Sequence, residues 1–178
     1  KLAFTGSPRA GRAIGQLAAD RILPLTLELG GKSANIVFAD ADLDAAAETA
    51  VTAFTLNSGQ VCSAGTRLLV QESVHDEVVG KIAAIIAARQ DDPSRRLGPM
   101  TTPAQYDKVV DYLQIGQSEG AVAAVGGTVG PDASHGEVPI TVFTGVDNSM
   151  RIAREEVFGP VLSVIPFKDE SEALTIAN

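Results

Sequence analysis

The most restrictive feature of the sequence is an apolar stripe at helical spacing between Asp40 and Gly59. Apolar residues recur at i, i+3, i+4, i+7, i+8 and i+11, and they are Leu43, Ala46, Ala47, Ala50, Val51 and Phe54. This spacing places them on one face of a helix, which must then be covered by a core. The helix is expected to begin at Asp40-Ala41-Asp42 and to end at Asn57-Ser58-Gly59, so Cys62 follows in a short turn.

Two groups capable of thioester chemistry lie on either side of this helix. Cys62 is the only cysteine, and Glu28 precedes it by 34 positions, between two leucines and before a glycine pair. A sulfur nucleophile and a carboxylate that activates water can form and then hydrolyse a thioester. From the residues alone, a lone cysteine is more often a buried, inert thiol, and Glu28 could be a solvated strand residue beside a turn. The sharper hypothesis makes Glu28 a partly buried general base.

Composition narrows the class of protein. The 178 residues carry a net charge of −8, with a pI near 4.7, which argues against nucleic-acid binding. One cysteine and two histidines exclude an internal disulfide and leave little from which to build a metal site, so we predict neither. No apolar run reaches the ~18 residues of a membrane span. Because a free thiol suits a reducing compartment, we expect a cytoplasmic protein. From the negative charge and the short apolar runs, we expect no nucleic-acid partner and no membrane partner.

Short apolar runs and capping signals predict the other elements. Strands are expected at 2–5, 25–29, 35–38, 66–71, 121–125, 138–143 and 161–167. Further helices are expected to begin near Pro8, Ser73, Pro103 and Asp169, and Ser73 has the spacing of a capping box. His75 lies in the first turn of its helix, where we expect a surface residue.

The beginning of the chain combines a strand, a Gly6-Ser7 turn and a helix N-terminus at Pro8. Ser7 is a good N-cap and Pro8 a good first helical residue. Free N–H groups and the helix dipole make such a start suitable for a phosphate. From the residues alone, a plain capped helix is the preferred interpretation.

An acidic pair near the other end, Glu155-Glu156, precedes Phe158 and the last predicted strand. Taken alone, it is a solvated pair at a helix end. A carboxylate can also accept two hydrogen bonds from a vicinal diol, so the residue type fits a sugar contact.

Several segments together resemble the aldehyde dehydrogenase family. They are F-T-G-S at 4–7, L-E-L-G-G-K at 27–32, G-Q-V-C at 59–62 and R-E-E-V-F-G-P-V at 154–161. They follow the order and spacing of the family, and the resemblance extends along the whole chain. Pro8 and Ala34 depart from the threonine and the proline that the family often has there, and neither change affects the chemistry.

The resemblance implies oxidation of an aldehyde to a carboxylic acid with NAD or NADP. Cys62 would be the catalytic nucleophile, which forms a thiohemiacetal and then a thioester. Glu28 would be the catalytic base, which activates the water that releases the acid. A small-molecule aldehyde is therefore the expected substrate.

The same resemblance implies where the cofactor binds. The expected cofactor-binding residues are Gly6, Ser7, Leu29, Glu156 and Phe158. Ser7 would contact the pyrophosphate, Glu156 would bind the hydroxyls of the nicotinamide ribose, and Phe158 would pack against the nicotinamide.

For the fold, the resemblance implies an α/β chain with a mostly parallel sheet flanked by helices, of the type found in the family's catalytic domain. Residues 1–29 would be the C-terminal edge of the dinucleotide-binding domain, and residues 30–178 an incomplete catalytic domain. The chain begins at Lys1 without a Met and stops at Asn178 inside a helical pattern. We therefore expect an internal piece, truncated at both ends, of a longer protein that forms a homodimer or a homotetramer.

Three alternatives remain open on the sequence. The first is a CoA-acylating relative, in which CoA takes the acyl group instead of water, although Glu28 favours water. The second is a structural fragment without turnover, which suits the isolated chain. The third is a cysteine hydrolase that pairs Cys62 with His75 or His135, for which the motifs leave histidine no role.

Overall fold

A computed structural model of the chain describes residues 1–131 and 136–178. His135 therefore lies outside the described residues. The chain divides into two compact units, Lys1–Gly31 and Lys32–Asn178.

The first unit is one strand–helix–strand repeat. It consists of β1 (Leu2–Gly6), α1 (Pro8–Asp20) and β2 (Leu25–Leu29). The strands pair in parallel, and Gly6 lies opposite Leu29 at their carboxyl ends. Ser7 caps α1 as predicted, because its hydroxyl oxygen accepts a hydrogen bond from the Ala10 N–H.

The second unit is built on a five-stranded sheet with the order β3-β4-β7-β6-β5. Its strands are β3 (Ala34–Val37), β4 (Arg67–Gln71), β5 (Val122–Val125), β6 (Thr141–Thr144) and β7 (Val161–Phe167). Its helices are α2 (Leu43–Thr55), α3 (His75–Gln90), α4 (Pro103–Ser118), α5 (Arg151–Arg154) and α6 (Glu170–Ala177). Short 3₁₀ turns lie at Leu56–Gly59, Glu72–Val74 and Pro93–Arg95. All strand pairs are parallel except β5 with β6.

Helices cover both faces of this sheet. Leu162 and Val164 of β7 belong to a core cluster that includes α2 and α3, whereas Val161 and Ile165 belong to a cluster that includes α4 and α5. The alternation follows from the two-residue period of a strand. The predicted face of α2 is confirmed, because Ala47, Ala50, Val51 and Phe54 are fully buried and Leu43 and Ala46 pack against the same cluster. The mostly parallel sheet flanked by helices is confirmed as well.

Three local predictions are wrong in detail. Ser73 does not cap a helix, because Glu72–Val74 form a 3₁₀ turn and α3 begins after it at His75 without a side-chain cap. Residues 138–140 are largely buried but lie outside β6, where Pro139 has no N–H to give to a sheet ladder. β3 is an edge strand, so Ile36 is exposed where a buried strand was expected.

Candidate active site

Cys62 lies in the loop that leads from α2 into β4. Its thiol is free and exposed. Residues 57–66, here called the cysteine loop, begin with three left-handed residues in succession: Asn57 (φ 51°), Ser58 (φ 55°) and Gly59 (φ 72°). Because this region is costly for side chains other than glycine, such a run persists only where the surroundings hold it.

Side-chain hydrogen bonds hold the start of the cysteine loop. The Ser58 hydroxyl donates to the Gly98 carbonyl at 2.8 Å, and the Asn57 amide donates to the Gln60 carbonyl at 3.2 Å. The buried Gln60 side chain accepts from the N–H and the hydroxyl of Thr101, at 3.0 Å and 2.9 Å. These bonds tie the loop to the segment before α4, and they place Cys62 two residues beyond an anchored position.

A backbone contact joins the cysteine loop to residues 155–160, here called the Phe158 segment. A Cβ added at Gly59 would lie 2.2 Å from the carbonyl carbon and oxygen of Gly159 and 2.6 Å from the nitrogen of Pro160. Only glycine fits such an approach. The cysteine loop leads into β4 and the Phe158 segment into β7, and these strands are parallel neighbours. The two segments therefore meet at the amino edge of the second unit's sheet.

The Phe158 segment is held in an unusual conformation. Phe158 has φ 59°, which is strained for an aromatic residue. The Gln105 side-chain amide of α4 donates to the carbonyls of Val157 and Phe158, at 3.0 Å and 2.8 Å. Gly159 packs against Val109 of the same helix, where an added Cβ would lie 2.6 Å from a Val109 methyl. The two hydrogen bonds that the Gln105 side chain donates to the Val157 and Phe158 carbonyls are here called the amide clamp.

The two glutamates of the Phe158 segment have different surroundings. Glu155 accepts hydrogen bonds from the Tyr112 hydroxyl at 2.5 Å and from the Arg151 guanidinium, with a shortest distance of 2.9 Å. The hydrogen bonds from Arg151, followed by that from Tyr112, lower the pKa of Glu155. Among the described residues, the half-buried carboxylate of Glu156 has no hydrogen bond and no ion pair. Glu156 therefore has acceptor capacity for a ligand, whereas Glu155 is engaged in holding the segment.

The other predicted site residues belong to the first unit. Gly6 and Leu29 end β1 and β2 opposite each other, and Ser7, the N-cap of α1, directly follows Gly6. Three predicted cofactor residues thus come together at the carboxyl edge of a parallel strand pair, a common place for ligands in α/β sheets. Glu28 is exposed, contrary to the expected partial burial. The alternation of β2 explains this, since the leucines on either side are the more buried residues.

Of the two histidines, only His75 lies in the described part of the chain. His75 is half-buried, not a surface residue as expected: its side chain is 18% exposed, and Nδ1 lies 2.8 Å from an Asp76 carboxylate oxygen. No histidine, cysteine, aspartate or glutamate side chains in residues 1–131 and 136–178 form a group of three or more that could hold a metal ion. Within the same ranges, no helix has the length and apolar character needed to cross a membrane.

Sequence reasoning missed two features of this site. The amide clamp has no sequence signature, because the partners of Gln105 lie 52 and 53 positions away. The approach of Gly59 to Gly159 was missed as well, although Asn and Gly in the run Asn57-Ser58-Gly59 favour left-handed backbone. That composition could have predicted a sharp turn in place of a simple helix end.

Comparison with known proteins identifies the family. The model of the aldehyde dehydrogenase family matches residues 1–178. A protein of Schizosaccharomyces pombe described as a probable betaine aldehyde dehydrogenase is 45% identical over 181 residues, which cover 99% of this chain and 36% of that protein. The crystal structure of an NAD-dependent aldehyde dehydrogenase from Sinorhizobium meliloti has a TM-score of 0.92 and 41% identity, over 99% of this chain and 36% of that one.

A third similar protein has been solved with its cofactor. Betaine aldehyde dehydrogenase from Staphylococcus aureus, in complex with NAD⁺, has a TM-score of 0.90 and 37% identity, over 99% of this chain and 36% of that one. The chain thus spans just over a third of the length of the proteins it matches. With a family model that covers every residue, the chain belongs to the aldehyde dehydrogenase family.

Proposed function

We propose that the protein carrying this sequence oxidises an aldehyde to a carboxylic acid with NAD or NADP. Family membership supports oxidoreductase chemistry, and the Staphylococcus aureus structure contains NAD⁺. The backbone contact at Gly59 is the observation that supports this proposal for the residues of this chain. It joins the loop of the exposed Cys62 to the segment that bears Glu156 and Phe158.

The proposed domain assignment makes residues 1–29 the edge of a dinucleotide-binding domain and residues 30–178 part of a catalytic domain. The division into compact units after Gly31 supports this assignment. A homodimer or homotetramer and a cytoplasmic location belong to the same proposal. They rest on the family and on the free thiol.

The proposed cofactor residues have the chemistry that a dinucleotide needs. The first N–H groups of α1, together with Ser7, suit a pyrophosphate. The Glu156 carboxylate has free acceptor capacity for a ribose diol, and the half-buried Phe158 offers a ring for packing. When bound, the nicotinamide supplies the hydride acceptor for the oxidation.

In the proposed reaction, the Cys62 thiolate attacks the aldehyde carbonyl carbon, and the new C–S bond gives a thiohemiacetal. The backbone N–H of Cys62 donates to the developing oxyanion. Loss of hydride from the thiohemiacetal carbon leaves a thioester on Cys62. Glu28 then takes a proton from water, the hydroxide attacks the thioester, and the C–S bond breaks to release the carboxylic acid and restore the thiol.

The nucleophile is tested by Cys62→Ala in the protein that carries this sequence. We expect aldehyde-dependent formation of reduced nicotinamide, followed by absorbance, to fall at least about 1,000-fold, because no other group forms the thiohemiacetal. Full turnover by the variant would overturn the assignment. For the 178-residue chain by itself we expect no absorbance change, since it spans only 36% of the similar structures that bind or use NAD.

The base is tested by Glu28→Gln, with Glu170→Gln on the exposed surface of α6 as the matched control. We expect the Glu28 variant to release acid about 100- to 10,000-fold more slowly, because it removes general-base catalysis from hydrolysis. It should still give one equivalent of reduced nicotinamide in a burst, and mass spectrometry should find the acyl group on Cys62. A requirement for CoA in product release would instead favour the CoA-acylating alternative.

A further inference from the structure

The second unit contains a cavity of about 480 Å³, a volume within the range of small-molecule sites. Three of the nine arginines of the sequence line it, so we call it the arginine cavity; they are Arg89, Arg95 and Arg96. Among the described residues that line it, none is proposed for catalysis or for cofactor binding. The arginine cavity therefore needs an explanation of its own.

Part of the wall of the arginine cavity is apolar. It is formed by Leu97, Val138, Pro139 and Ile140. Val138 and Ile140 are each 8% exposed and belong to the two large core clusters, and Leu97 packs against one of them. Because the core holds these side chains, a ligand with an apolar body would find a preformed surface to pack on.

Arg89, in the last turn of α3, is a fixed cation of the wall. Its side chain is 17% exposed, and one terminal nitrogen donates to the Glu48 carboxylate at 2.5 Å and to the Thr52 hydroxyl at 3.0 Å. These hydrogen bonds hold the guanidinium against α2. Its Nε is buried and makes no hydrogen bond with any described residue, so the protein satisfies this cation only in part.

Arg95 and Arg96 lie in the loop that follows α3. Asp92 holds this loop, because its carboxylate accepts from the N–H and the hydroxyl of Ser94, at 2.9 Å and 2.7 Å, and lies 3.4 Å from the Arg95 Nε. Arg96 is exposed and has no hydrogen bond or ion pair with any described residue. Its whole guanidinium is available, and this planar group matches a carboxylate through two parallel hydrogen bonds.

Carboxylates around the arginine cavity offset much of its positive charge. Glu48 pairs with Arg89. Asp92 pairs with Arg95. Glu137 is itself part of the wall. The cavity thus has many N–H donors but little net charge, which suits a singly charged acceptor group better than a doubly charged phosphate.

We propose that the arginine cavity is a binding site for a carboxylate with an apolar body, such as a medium-chain fatty acid. The carboxylate accepts hydrogen bonds from Arg95 and Arg96, and Arg89 adds a fixed positive charge. The apolar body packs on Leu97 and Ile140. The site does not depend on the reaction proposed for the cysteine loop.

The test is protection of single arginines from phenylglyoxal, located by mass spectrometry, in the protein that carries this sequence. Octanoate should slow the modification of Arg95 and Arg96. It should do so at concentrations at least about 10-fold lower than acetate, because acetate lacks an apolar body. Arg154, exposed on α5, is the internal control and should react at an unchanged rate. Since the signal belongs to single residues, octanoate bound elsewhere does not affect it.

Two substitutions that change the charge in opposite directions test the electrostatics. Arg96→Gln should raise the octanoate concentration that half-protects Arg95 by about 3- to 5-fold, and Glu137→Gln should lower it by about 2- to 5-fold. Glu170→Gln on α6 is the matched control and should leave it unchanged. Neither Arg96 nor Glu137 has a partner among the described residues, so both variants should fold.

Each part of the proposal can fail separately. No protection of Arg95 and Arg96 by octanoate would overturn the site, and equal slowing at Arg154 would overturn it as a nonspecific effect of the anion. Equal protection by acetate would overturn the role of the apolar wall. Protection by octyl phosphate at the same or a lower concentration than octanoate would overturn the singly charged acceptor group.

Discussion

At the scale of single residues, Gly59 is the position where the proposed site depends most on the absence of a side chain. Its φ is 72°, and an added Cβ would lie 2.2 Å from the carbonyl of Gly159. We predict that Gly59→Ala lowers the free energy of unfolding by about 2–4 kcal/mol, because backbone strain adds to a clash with another backbone. Urea unfolding followed by circular dichroism measures the change.

Gly80 provides a matched control for that substitution. It lies within α3, and a Cβ added there would meet no atom within 4 Å. Gly80→Ala should therefore stabilise the chain by about 0.5–1 kcal/mol, since alanine loses less backbone entropy in a helix. A Gly59→Ala variant as stable as the wild type would show that the cysteine loop and the Phe158 segment are not in contact.

The residues of the proposed chemistry were accessible from the sequence because each lies in a short, distinctive run. Cys62 and Glu28 could be singled out by type and by their neighbours, and they remain predictions. Their surroundings could not be foreseen. The approach of Gly59 to Gly159 and the hydrogen bonds from Gln105 depend on packing between segments far apart in the chain.

At the scale of elements, the Phe158 segment depends on α4 through the amide clamp. Gln105 satisfies two carbonyls, one on the buried Val157 and one on the strained Phe158. We predict that Gln105→Met lowers the free energy of unfolding by about 1–3 kcal/mol, because the carbonyls lose their donors. The ¹³C shifts of the Phe158 Cα and Cβ should also move away from values for left-handed backbone.

Gln114 is the control for this prediction, since it is exposed on the same helix. Gln114→Met should change the free energy of unfolding by less than about 0.5 kcal/mol. Unchanged Phe158 shifts in Gln105→Met would mean that other contacts hold the segment.

A second junction between elements joins α4 to α5 through Tyr112 and Glu155. Burial, followed by the hydrogen bond to Glu155, raises the pKa of Tyr112 from 10.0 to about 12. The folded state favours the neutral phenol of Tyr112. Its contribution to the free energy of unfolding is therefore fully present below pH 10 and is lost as the pH rises through about 12. We predict a fall in the free energy of unfolding across this window, of about 2–3 kcal/mol from Tyr112.

The variant Tyr112→Phe tests whether Tyr112 causes this fall in the free energy of unfolding. At pH 8 it should be less stable than the wild type by about 1 kcal/mol, because the hydrogen bond to Glu155 is lost. Above pH 10 the difference between the two proteins should shrink and then change sign, since only the wild type has the Tyr112 phenol to ionise, whereas both keep Tyr106. A constant difference from pH 8 to pH 11.5, measured by urea unfolding, would contradict the prediction.

Most elements were predictable because their signals are local. The apolar face of α2 and the Ser7 cap of α1 depend on residues within a few positions of one another. The failures have non-local or competing causes: a 3₁₀ turn displaced the cap expected at Ser73, and the place of β3 at the sheet edge exposed Ile36. Strand order, which brings the cysteine loop beside the Phe158 segment, carries no local signal at all.

At the scale of the whole molecule, the two compact units differ in how much apolar surface they bury. In the first unit only Gly11 and Ala18 are buried, and its sheet has two strands. In the second unit, Leu68, Leu69 and Val70 of β4 are completely buried, with β7 beside them. A two-stranded sheet without a large buried face is marginal, whereas a five-stranded sheet covered on both faces forms a stable core.

This contrast predicts two levels of protection in native-state hydrogen exchange. Amides in the β4–β7 ladder, such as that of Leu68, should exchange only through global unfolding. Amides of β2 that face β1, such as that of Thr26, should exchange at least about 100-fold faster, because local opening exposes little apolar surface. Exchange measured by NMR at several low urea concentrations separates local opening from global unfolding, since the rate of exchange through local opening depends weakly on urea and the rate through global unfolding depends strongly on it. Equal rates and equal urea dependence would mean that residues 1–31 have the stability of the larger core, and that their small buried area does not limit them.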